Sequence, residues 1–257
     1  LKTAEVYIAA VLSNDKFLQK AFIDQVDFHS YIAKQIFNLP CSAEEVKNKF
    51  PDHRQWAKAI TFGIMYQAGA RTISETAKVS MQEAQDFINK YFAEAKDLKR
   101  FIDKCNSQIE NQQFIYSHFG RKRRLMEATA SSRGVRNHAI RSGVNFMVQS
   151  PSSDINLLAS IEAMDWIEAN NYQDDILPFA LVHDSIVAEV KIELVPVWCQ
   201  IIKTAVQRDR GLSIPDCPIG VDFEVGPSWA MLKGVDADRV TVVEVKDILE
   251  NKRYLKK

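Results

Sequence analysis

Hydrophobic residues recur at helical spacing through the first 115 positions of the chain, with few glycines or prolines between them. An early apolar face is formed by Ala4, Ile8, Val11 and Leu12. Asp27 precedes a segment with helical periodicity and is a good N-cap, because its carboxylate can accept from the free backbone N–H groups of the first turn. The pattern therefore predicts a helix over residues 28–37.

Four more helical segments follow in this first half. The first is predicted over 43–50 and is opened by a capping box of Ser42 and Glu45, and the second is predicted over 54–66. The third begins at about Ser74, and the fourth runs from about Ser80 to Ile109 without a break. The first half of the chain is thus expected to be almost entirely helical.

The pattern changes near Phe114. A long helix is predicted over 135–169, with Pro151 as a kink or break. Apolar, β-branched runs at 176–182 and 186–190, separated by His183, Asp184 and Ser185, are typical of a hairpin. An amphipathic helix over 195–208 and a last strand over 219–225 complete the prediction, and the charged segment after Gly234 is expected to fray or to form an added helix.

Composition excludes several classes of protein. The 257 residues are 46% hydrophobic and include only 9 Gly and 8 Pro, unlike disordered or collagen-like chains. No apolar run approaches the roughly 18 to 20 residues of a membrane span, and no signal peptide is visible. The four cysteines are scattered singly, so we expect reduced thiols in a cytosolic-type protein and no zinc site.

Charge is balanced overall but uneven locally. The chain has 33 basic and 33 acidic residues, whereas the stretch from Arg121 to Arg141 holds seven basic residues and one acidic residue, Glu127. This stretch is suited to a polyanion, although a basic run is also typical of an ordinary solvated face.

One predicted helix carries a stripe of two cations and two aromatics, formed by Arg54, Lys58, Phe62 and Tyr66. At four-residue spacing each step turns by only about 40°, so the stripe winds slowly along about 20 Å of helix. Two cations four residues apart repel unless an anion lies between them. A nucleoside triphosphate would suit the whole stripe, because its phosphates can bind the two cations and its base can stack on the two aromatic rings. The alternative is an amphipathic helix with a solvated Arg and Lys and a buried Phe and Tyr. Gly63 in the helix interior indicates close approach by another group.

Asp184 lies in the predicted turn between two apolar strands. A carboxylate held there by two rigid elements is well placed to bind a divalent cation. The alternative is an ordinary turn aspartate, since Asp favours turns, and His183 beside it is more often a turn residue than a metal ligand.

A third constellation lies on the long helix. Arg141, Asn145 and Gln149 share one face and present a cation and two amides. Arginine contacts phosphates, and amide side chains can read acceptors in the minor groove of DNA. A solvated polar face is again the alternative.

Taken together, these segments resemble family A DNA polymerases, over about residues 1–233. The helix from Arg54 to Tyr66 looks like motif B of that family, and Leu181-Val182-His183-Asp184 looks like motif C. Gly120-Arg121 resembles the opening of the preceding motif, the face with Arg141 resembles the duplex-contacting helix, and residues 1–6 resemble motif A without its first aspartate.

The resemblance implies an α+β fold of the right-hand polymerase type, with helical fingers inserted in a palm that has a small antiparallel sheet. Residues 1–15 would be the start of the palm, 16–113 the fingers, 114–233 the rest of the palm and 234–257 a C-terminal extension. A thumb would lie upstream.

The resemblance also implies site residues for template-directed addition of dNTPs to a primer 3′-hydroxyl. Arg54 and Lys58 would bind the triphosphate, with Lys58 also donating a proton to pyrophosphate, and Phe62 and Tyr66 would line the base. Glu5 would form a steric gate with Tyr66 against ribose. Primer–template DNA would be contacted by Arg121, Arg141, Asn145, Gln149 and His183.

Two Mg²⁺ ions are implied as cofactors, with Asp184 as a ligand. The other aspartate of the family would precede Leu1, so we expect one ligand from outside this chain, supplied by an N-terminal polymerase half, and little or no activity from the chain alone. Asp222 and Glu224 are weaker candidates for that ligand. Ser185 replaces the usual Glu of the family, which is typical of phage enzymes, and Gln67 replaces the usual Gly.

Three interpretations of function follow from these residues. The first is the catalytic region of a DNA-directed DNA polymerase, either a subunit of a split enzyme or a fragment. The second is a non-catalytic DNA- and nucleotide-binding subunit that needs an N-terminal partner. The third, an RNA polymerase of the related single-subunit type, is disfavoured by Glu5 and Tyr66.

Overall fold

The computed structural model describes residues 3–250. The Leu1-Lys2 part of the predicted motif A and the last seven residues of the predicted C-terminal extension lie outside the described residues. The helices are α1 (Ala4–Ser13), α2 (Lys16–Ile23), α3 (Phe28–Phe37), α4 (Ala43–Lys49), α5 (Pro51–Met65), α6 (Ala70–Ala77), α7 (Met81–Glu94), α8 (Lys96–Gln112), α9 (Arg133–Ala169), α10 (Val195–Gln207) and α11 (Val242–Glu250).

Within residues 3–250, six short strands form three antiparallel hairpins. They are β1 (Phe114–Tyr116) with β2 (Lys122–Arg124), β3 (Ile176–Val182) with β4 (Ser185–Val190), and β5 (Phe223–Ser228) with β6 (Met231–Val235). Short 3₁₀ turns occur at Met126–Thr129 and Ile192–Leu194. The mixture of helices with small antiparallel sheets is the α+β class that the sequence predicted.

The described chain divides into two compact units. One contains Ser152–Gly211 and the described residues from Pro218 onward, and the other contains Glu5–Pro151 together with Leu212–Cys217. The predicted boundaries between fingers and palm remain a prediction. None of the helices in residues 3–250 is both long enough and apolar enough to cross a membrane.

The larger, mainly helical unit is organised by long-range caps. The buried carboxylate of Asp15 accepts from the backbone N–H of Leu18 in α2 at 3.1 Å and from that of Leu98 in α8 at 2.9 Å. The buried Tyr7 hydroxyl accepts from the backbone N–H of Ile214 at 2.9 Å and donates to the Cys217 carbonyl at 2.6 Å. These bonds attach α8 and residues 212–217 to the first two helices.

The smaller unit has its own apolar core, formed by Val195, Cys199, Ala237, Val240 and Val245. Helix α11 contributes to this core, so the described part of the predicted extension includes an added helix. Beside it, Glu162 on α9 pairs with Arg208 and Arg210, at 2.9 and 2.7 Å.

Several predicted boundaries are correct. Asp27 caps α3 over 28–37, the Ser42–Glu45 capping box opens α4, and β3 spans 176–182 as predicted. Residues 54–66 fall within α5 and its C-cap, Tyr66.

Other boundaries were wrong. The helix predicted from Ser74 begins earlier, since Gly69 is the N-cap of α6. Ser74 lies inside this helix, and its hydroxyl donates to the Val79 carbonyl. The helix predicted over 80–109 is interrupted at Ala95, where ψ is 62°.

Two further differences concern the second half of the chain. Helix α9 continues through Pro151, so the predicted break is wrong; the φ of proline is itself compatible with a helix. The predicted last strand begins at Phe223 rather than Ile219, whose carbonyl accepts from Gln207, and it is followed by β6.

Candidate active site

Helix α5 presents the predicted stripe of cations and aromatics on its outer side. Its opposite side is buried through Ala57, Ile60 and Ile64, which orients the stripe away from the core. Lys58 is exposed, and the rings of Phe62 and Tyr66 stack nearly parallel, with centroids 6.5 Å apart. The stripe therefore lies on the surface of this unit, with the two cationic side chains toward one end and the two nearly parallel aromatic rings toward the other.

Tyr66 is joined to Glu5 at the start of α1. The tyrosine hydroxyl lies 2.9 and 3.2 Å from the two carboxylate oxygens, and Nε2 of Gln149 on α9 donates to one of them at 3.4 Å. Partial burial raises the pKa of Tyr66, and the hydrogen bond to Glu5 raises it further. Three predicted site residues, widely separated in sequence, thus meet at the end of α5.

Helix α9 reaches the same place through Asn145. With its amide oriented to satisfy its neighbours, its nitrogen donates to the Met65 carbonyl at 2.8 Å and to the Arg141 carbonyl at 3.2 Å. The backbone at the end of α5 is thus held directly by the predicted DNA-contacting face. Arg141 is half-buried one turn earlier on that face.

Arg54 is held by a residue that the sequence indicated only as a helix cap. Its Nε and Nη2 donate to the two oxygens of Asp27, both at 2.8 Å. Partial burial acts to raise the pKa of Asp27, but hydrogen bonds from Arg54 and Ser30 outweigh it and hold the pKa well below the ordinary range. Asp27 therefore stays ionised and fixes the guanidinium, leaving Nη1 without a hydrogen bond to any residue between 3 and 250.

His29 also lies in this region, and the sequence analysis did not single it out. Its ring is buried, its centroid lies 5.7 Å from that of Phe62, and its Nδ1 has no hydrogen-bond partner among the described residues. Burial lowers the pKa of His29 to about 4; Asp27 opposes this shift, and Arg54 and Lys58 add to it. No periodicity links residues 27 and 29 to α5, so only the tertiary structure reveals them.

Two backbone features shape the end of α5. A Cβ on Gly63 would lie 2.7 Å from Cγ1 of Ile73 on α6, so the group that approaches this glycine closely is Ile73. Gln67 has a φ of 49°, with the backbone N–H of Ala68 bonded to the Gly63 carbonyl and that of Gln67 to the Ile64 carbonyl. This is a Schellman end, whose left-handed position usually holds glycine.

Arg121 and Asp184 lie in hairpin connections. Arg121 is exposed at the end of the loop between β1 and β2, where Gly120 has a φ of 77°. In the smaller unit, Val182 pairs with Ser185, so His183 and Asp184 form a two-residue turn, and His183 supplies the positive φ, 55°, that such a turn requires. Both turn residues are exposed.

The metal-binding capacity of the described residues is partial. Asp184 offers carboxylate oxygens on a connection fixed by two paired strands, which suits Mg²⁺. No group of three or more His, Cys, Asp or Glu side chains in residues 3–250 is arranged to hold a metal ion. Asp184 could therefore supply one protein ligand for Mg²⁺, and the other ligands would have to come from substrate, water or another segment.

Comparison with known proteins agrees with this geometry. The family model described as DNA polymerase family A matches residues 2–231. The DNA polymerase of Escherichia phage T5 is 44% identical over 247 residues, covering 87% of this chain and 29% of that protein. DNA polymerase I of Pseudomonas aeruginosa is 30% identical over 225 residues, covering 88% of this chain and 24% of that protein.

A solved structure is similar as well. The POL domain of Pol1 from M. smegmatis, in complex with DNA primer–template and dNTP, matches with a TM-score of 0.74 and 25% identity. The match covers 85% of this chain and 37% of that domain. The chain spans 24–29% of the length of the two curated polymerases named above. The fold expected from the resemblance is confirmed.

Proposed function

The chain belongs to DNA polymerase family A, and from this premise we propose that it forms the nucleotide-binding and DNA-binding part of a template-directed DNA polymerase. The reaction is addition of a dNTP to a primer 3′-hydroxyl, with release of pyrophosphate. The observation that carries the proposal is that Tyr66 and Gln149 both hydrogen-bond the Glu5 carboxylate, because this joins the α5 stripe to the DNA-contacting face of α9. Residues 16–113 would act as fingers, and 1–15 and 114–233 as palm.

Arg54 and Lys58 are proposed to bind the triphosphate. The bidentate pair with Asp27 fixes the Arg54 guanidinium and leaves Nη1 for a phosphate oxygen, while Lys58 presents an exposed ammonium one turn later. As the bond to pyrophosphate breaks, Lys58 can donate a proton to the departing oxygen, which neutralises developing charge. The stacked rings of Phe62 and Tyr66 would line the nucleobase side.

Glu5 is proposed to act as a gate against ribonucleotides. Its carboxylate is oriented by Tyr66 and Gln149, so it cannot turn away without losing those hydrogen bonds. A ribose 2′-hydroxyl directed at this carboxylate would compete with an existing hydrogen bond and add bulk in a filled space. This favours dNTPs over NTPs and disfavours the RNA polymerase interpretation.

The DNA is proposed to lie along α9. Arg141 would contact a phosphate, while Asn145 and Gln149 would contact base edges in the minor groove. Arg121 would add a phosphate contact from the β1–β2 connection, and His183 would lie near the primer end.

Two Mg²⁺ ions, when bound, would stabilise the charge that develops on the attacking and leaving oxygens. Asp184 would hold them on the protein side, with triphosphate oxygens supplying further ligands. In this proposal the second carboxylate belongs to an N-terminal polymerase half outside this sequence, which would also carry the thumb. Asp222, just before β5, and Glu224 on β5 are the weaker alternatives.

Primer extension by the chain combined with an N-terminal polymerase half tests the proposal. We expect Lys58→Ala and Asp184→Asn each to lower single-nucleotide incorporation by roughly 100-fold or more, because each removes charge stabilisation in the transition state. Exposed residues of the same type serve as controls, and Lys90→Ala and Asp165→Asn should leave the rate unchanged. Normal incorporation by either site variant would contradict the assignment of that residue. The proposed location of this enzyme is the cytoplasm of a bacterial or host cell.

A further inference from the structure

The β1–β2 hairpin has two different faces. Cross-strand pairs are Phe114 with Arg124, Ile115 with Arg123, and Tyr116 with Lys122. Because side chains alternate along a strand, the pair Ile115 and Arg123 lies on one face and the other four residues lie on the opposite face. We call the latter set, Phe114, Tyr116, Lys122 and Arg124, the aromatic–basic face.

The first of these faces is fixed to the rest of the unit. Ile115 is fully buried, and Arg123 donates to the Ser142 hydroxyl of α9 at 2.6 Å while its guanidinium lies 5.6 Å from the ring of Phe146. This anchoring holds the hairpin in one orientation. The aromatic–basic face is consequently directed away from its own unit.

The aromatic–basic face combines the two chemistries that bind unpaired nucleic acid. Tyr116 is 47% exposed, and Lys122 and Arg124 are exposed beside it. The Lys122 ammonium lies 3.8 Å from the ring centroid of Phe114 and 5.4 Å from that of Tyr116. Cations and rings are therefore within one side-chain length of each other, as a phosphate and its base would require.

We propose that the aromatic–basic face binds a single-stranded segment of the DNA substrate, with unpaired bases stacking on Tyr116 and Phe114 and phosphates paired with Lys122 and Arg124. The inference rests on the proposed function, since it assumes that the chain handles DNA. Charge complementarity favours a polyanion, and the exposed rings favour one with free base faces. A duplex keeps those faces stacked internally, so the surface discriminates unpaired strands from paired ones.

Fluorescence anisotropy with the full chain tests the inference without requiring catalysis. The probes are a labelled oligothymidine of about twelve nucleotides, within the usual site size, and a blunt duplex of equal length. Tyr116→Ala should weaken oligothymidine binding roughly 5- to 150-fold, the range for loss of one stacked base, and leave duplex binding unchanged. Tyr116→Phe should retain the affinity because it keeps the ring, whereas Tyr116→Leu should not.

Charge is tested separately. Lys122→Gln should lower the slope of log affinity against log salt for the single strand by about 0.7, the value for one phosphate contact. Trp229→Ala, which removes a 60% exposed ring elsewhere, and Arg239→Gln, which removes an exposed cation elsewhere, are the matched controls and should have no effect.

Several results would overturn the inference. Unchanged oligothymidine affinity in Tyr116→Ala, an equal loss for duplex, or full affinity in Tyr116→Leu would each exclude a stacking site, as would equally tight binding of an acidic peptide of the same charge. If duplex binding and primer extension persist in those cases, the polymerase proposal stands and only the hairpin assignment fails. If the full chain binds neither DNA, both fail.

Discussion

The hydroxyl of Tyr66 hydrogen-bonds the carboxylate of Glu5 at 2.9 Å, although 61 positions separate the two residues. One is the C-cap of α5 and the other lies in the first turn of α1. Their contact fixes the aromatic end of the α5 stripe against the start of the chain's first helix. A nucleotide bound along the stripe would therefore meet an oriented carboxylate.

Glu5→Ala tests the role of that carboxylate. Removing it frees the Tyr66 hydroxyl and opens space, so we expect NTP incorporation to rise relative to dNTP incorporation, or dNTP binding to weaken by roughly tenfold, equivalent to about 1.4 kcal/mol. Competitive incorporation assays measure both quantities. Glu110→Ala, at an exposed position on α8, is the control. If Glu5→Ala alters neither sugar selection nor dNTP binding, Glu5 is not the gate.

Asp15 is expected to be among the most sensitive structural positions. Asp15→Ala leaves Leu18 and Leu98 N–H groups without their acceptor, so we expect a loss of roughly 2–4 kcal/mol for two caps. Asp15→Asn, which keeps one oxygen, should lose less. Urea unfolding measures the difference, with Glu75→Ala in an exposed ion pair as a control near zero. Equal stability of Asp15→Ala and Glu75→Ala would show that the double cap is unimportant.

The lowered pKa of the buried His29 should make the stability of the fold depend on pH. Its pKa is about 4 in the folded protein and 6.5 ordinarily, so the unfolded chain binds more protons between these values and stability falls as pH falls through this window. From pH 7 to 5 the loss should be on the order of 2 kcal/mol. His29→Leu should remove this part of the pH dependence. Denaturant unfolding of the wild-type chain and of His29→Leu at pH 7 and pH 5 measures this part. If the free energy of unfolding changes equally with pH in both proteins, the burial of a neutral imidazole is contradicted.

Two glycines of α9 should respond in opposite directions to alanine. A Cβ on Gly143 would lie 2.5 Å from Cδ1 of both Ile109 and Leu125, whereas one on Gly134 would meet nothing closer than 3.9 Å. Gly143→Ala should therefore be destabilising by about 1–2 kcal/mol after its helix-propensity gain. Gly134→Ala should be neutral or slightly stabilising. Thermal unfolding distinguishes them, and the same shift in both variants would rule out close packing at Gly143.

Local signals in the sequence predicted much of the fold. The caps Asp27 and Ser42 and the apolar run over 176–182 act within a few residues, so they can be recognised without tertiary knowledge. The α5 stripe was recognisable for the same reason, because its four members share one helix.

The remainder depends on contacts between distant residues. Helices α7 and α8 separate at Ala95, where neither glycine nor proline marks an end, and the new helix is capped by Asp15 from 83 positions away. The pairing of Arg54 with Asp27 and the burial of His29 are likewise invisible to periodicity. The Arg54–Asp27 pair and the buried His29 both alter the charge around the stripe. The electrostatics of the candidate site therefore could not be predicted from the sequence alone.

The most direct test of the account is primer extension in Mg²⁺ by this chain alone and by the chain combined with an N-terminal polymerase half that supplies a second carboxylate. We predict little or no extension alone, extension in the combination, and loss of that extension in Asp184→Asn. Normal extension by the chain alone, or full extension by Asp184→Asn in the combination, would contradict the claim that Asp184 supplies one part of a metal site shared with another segment.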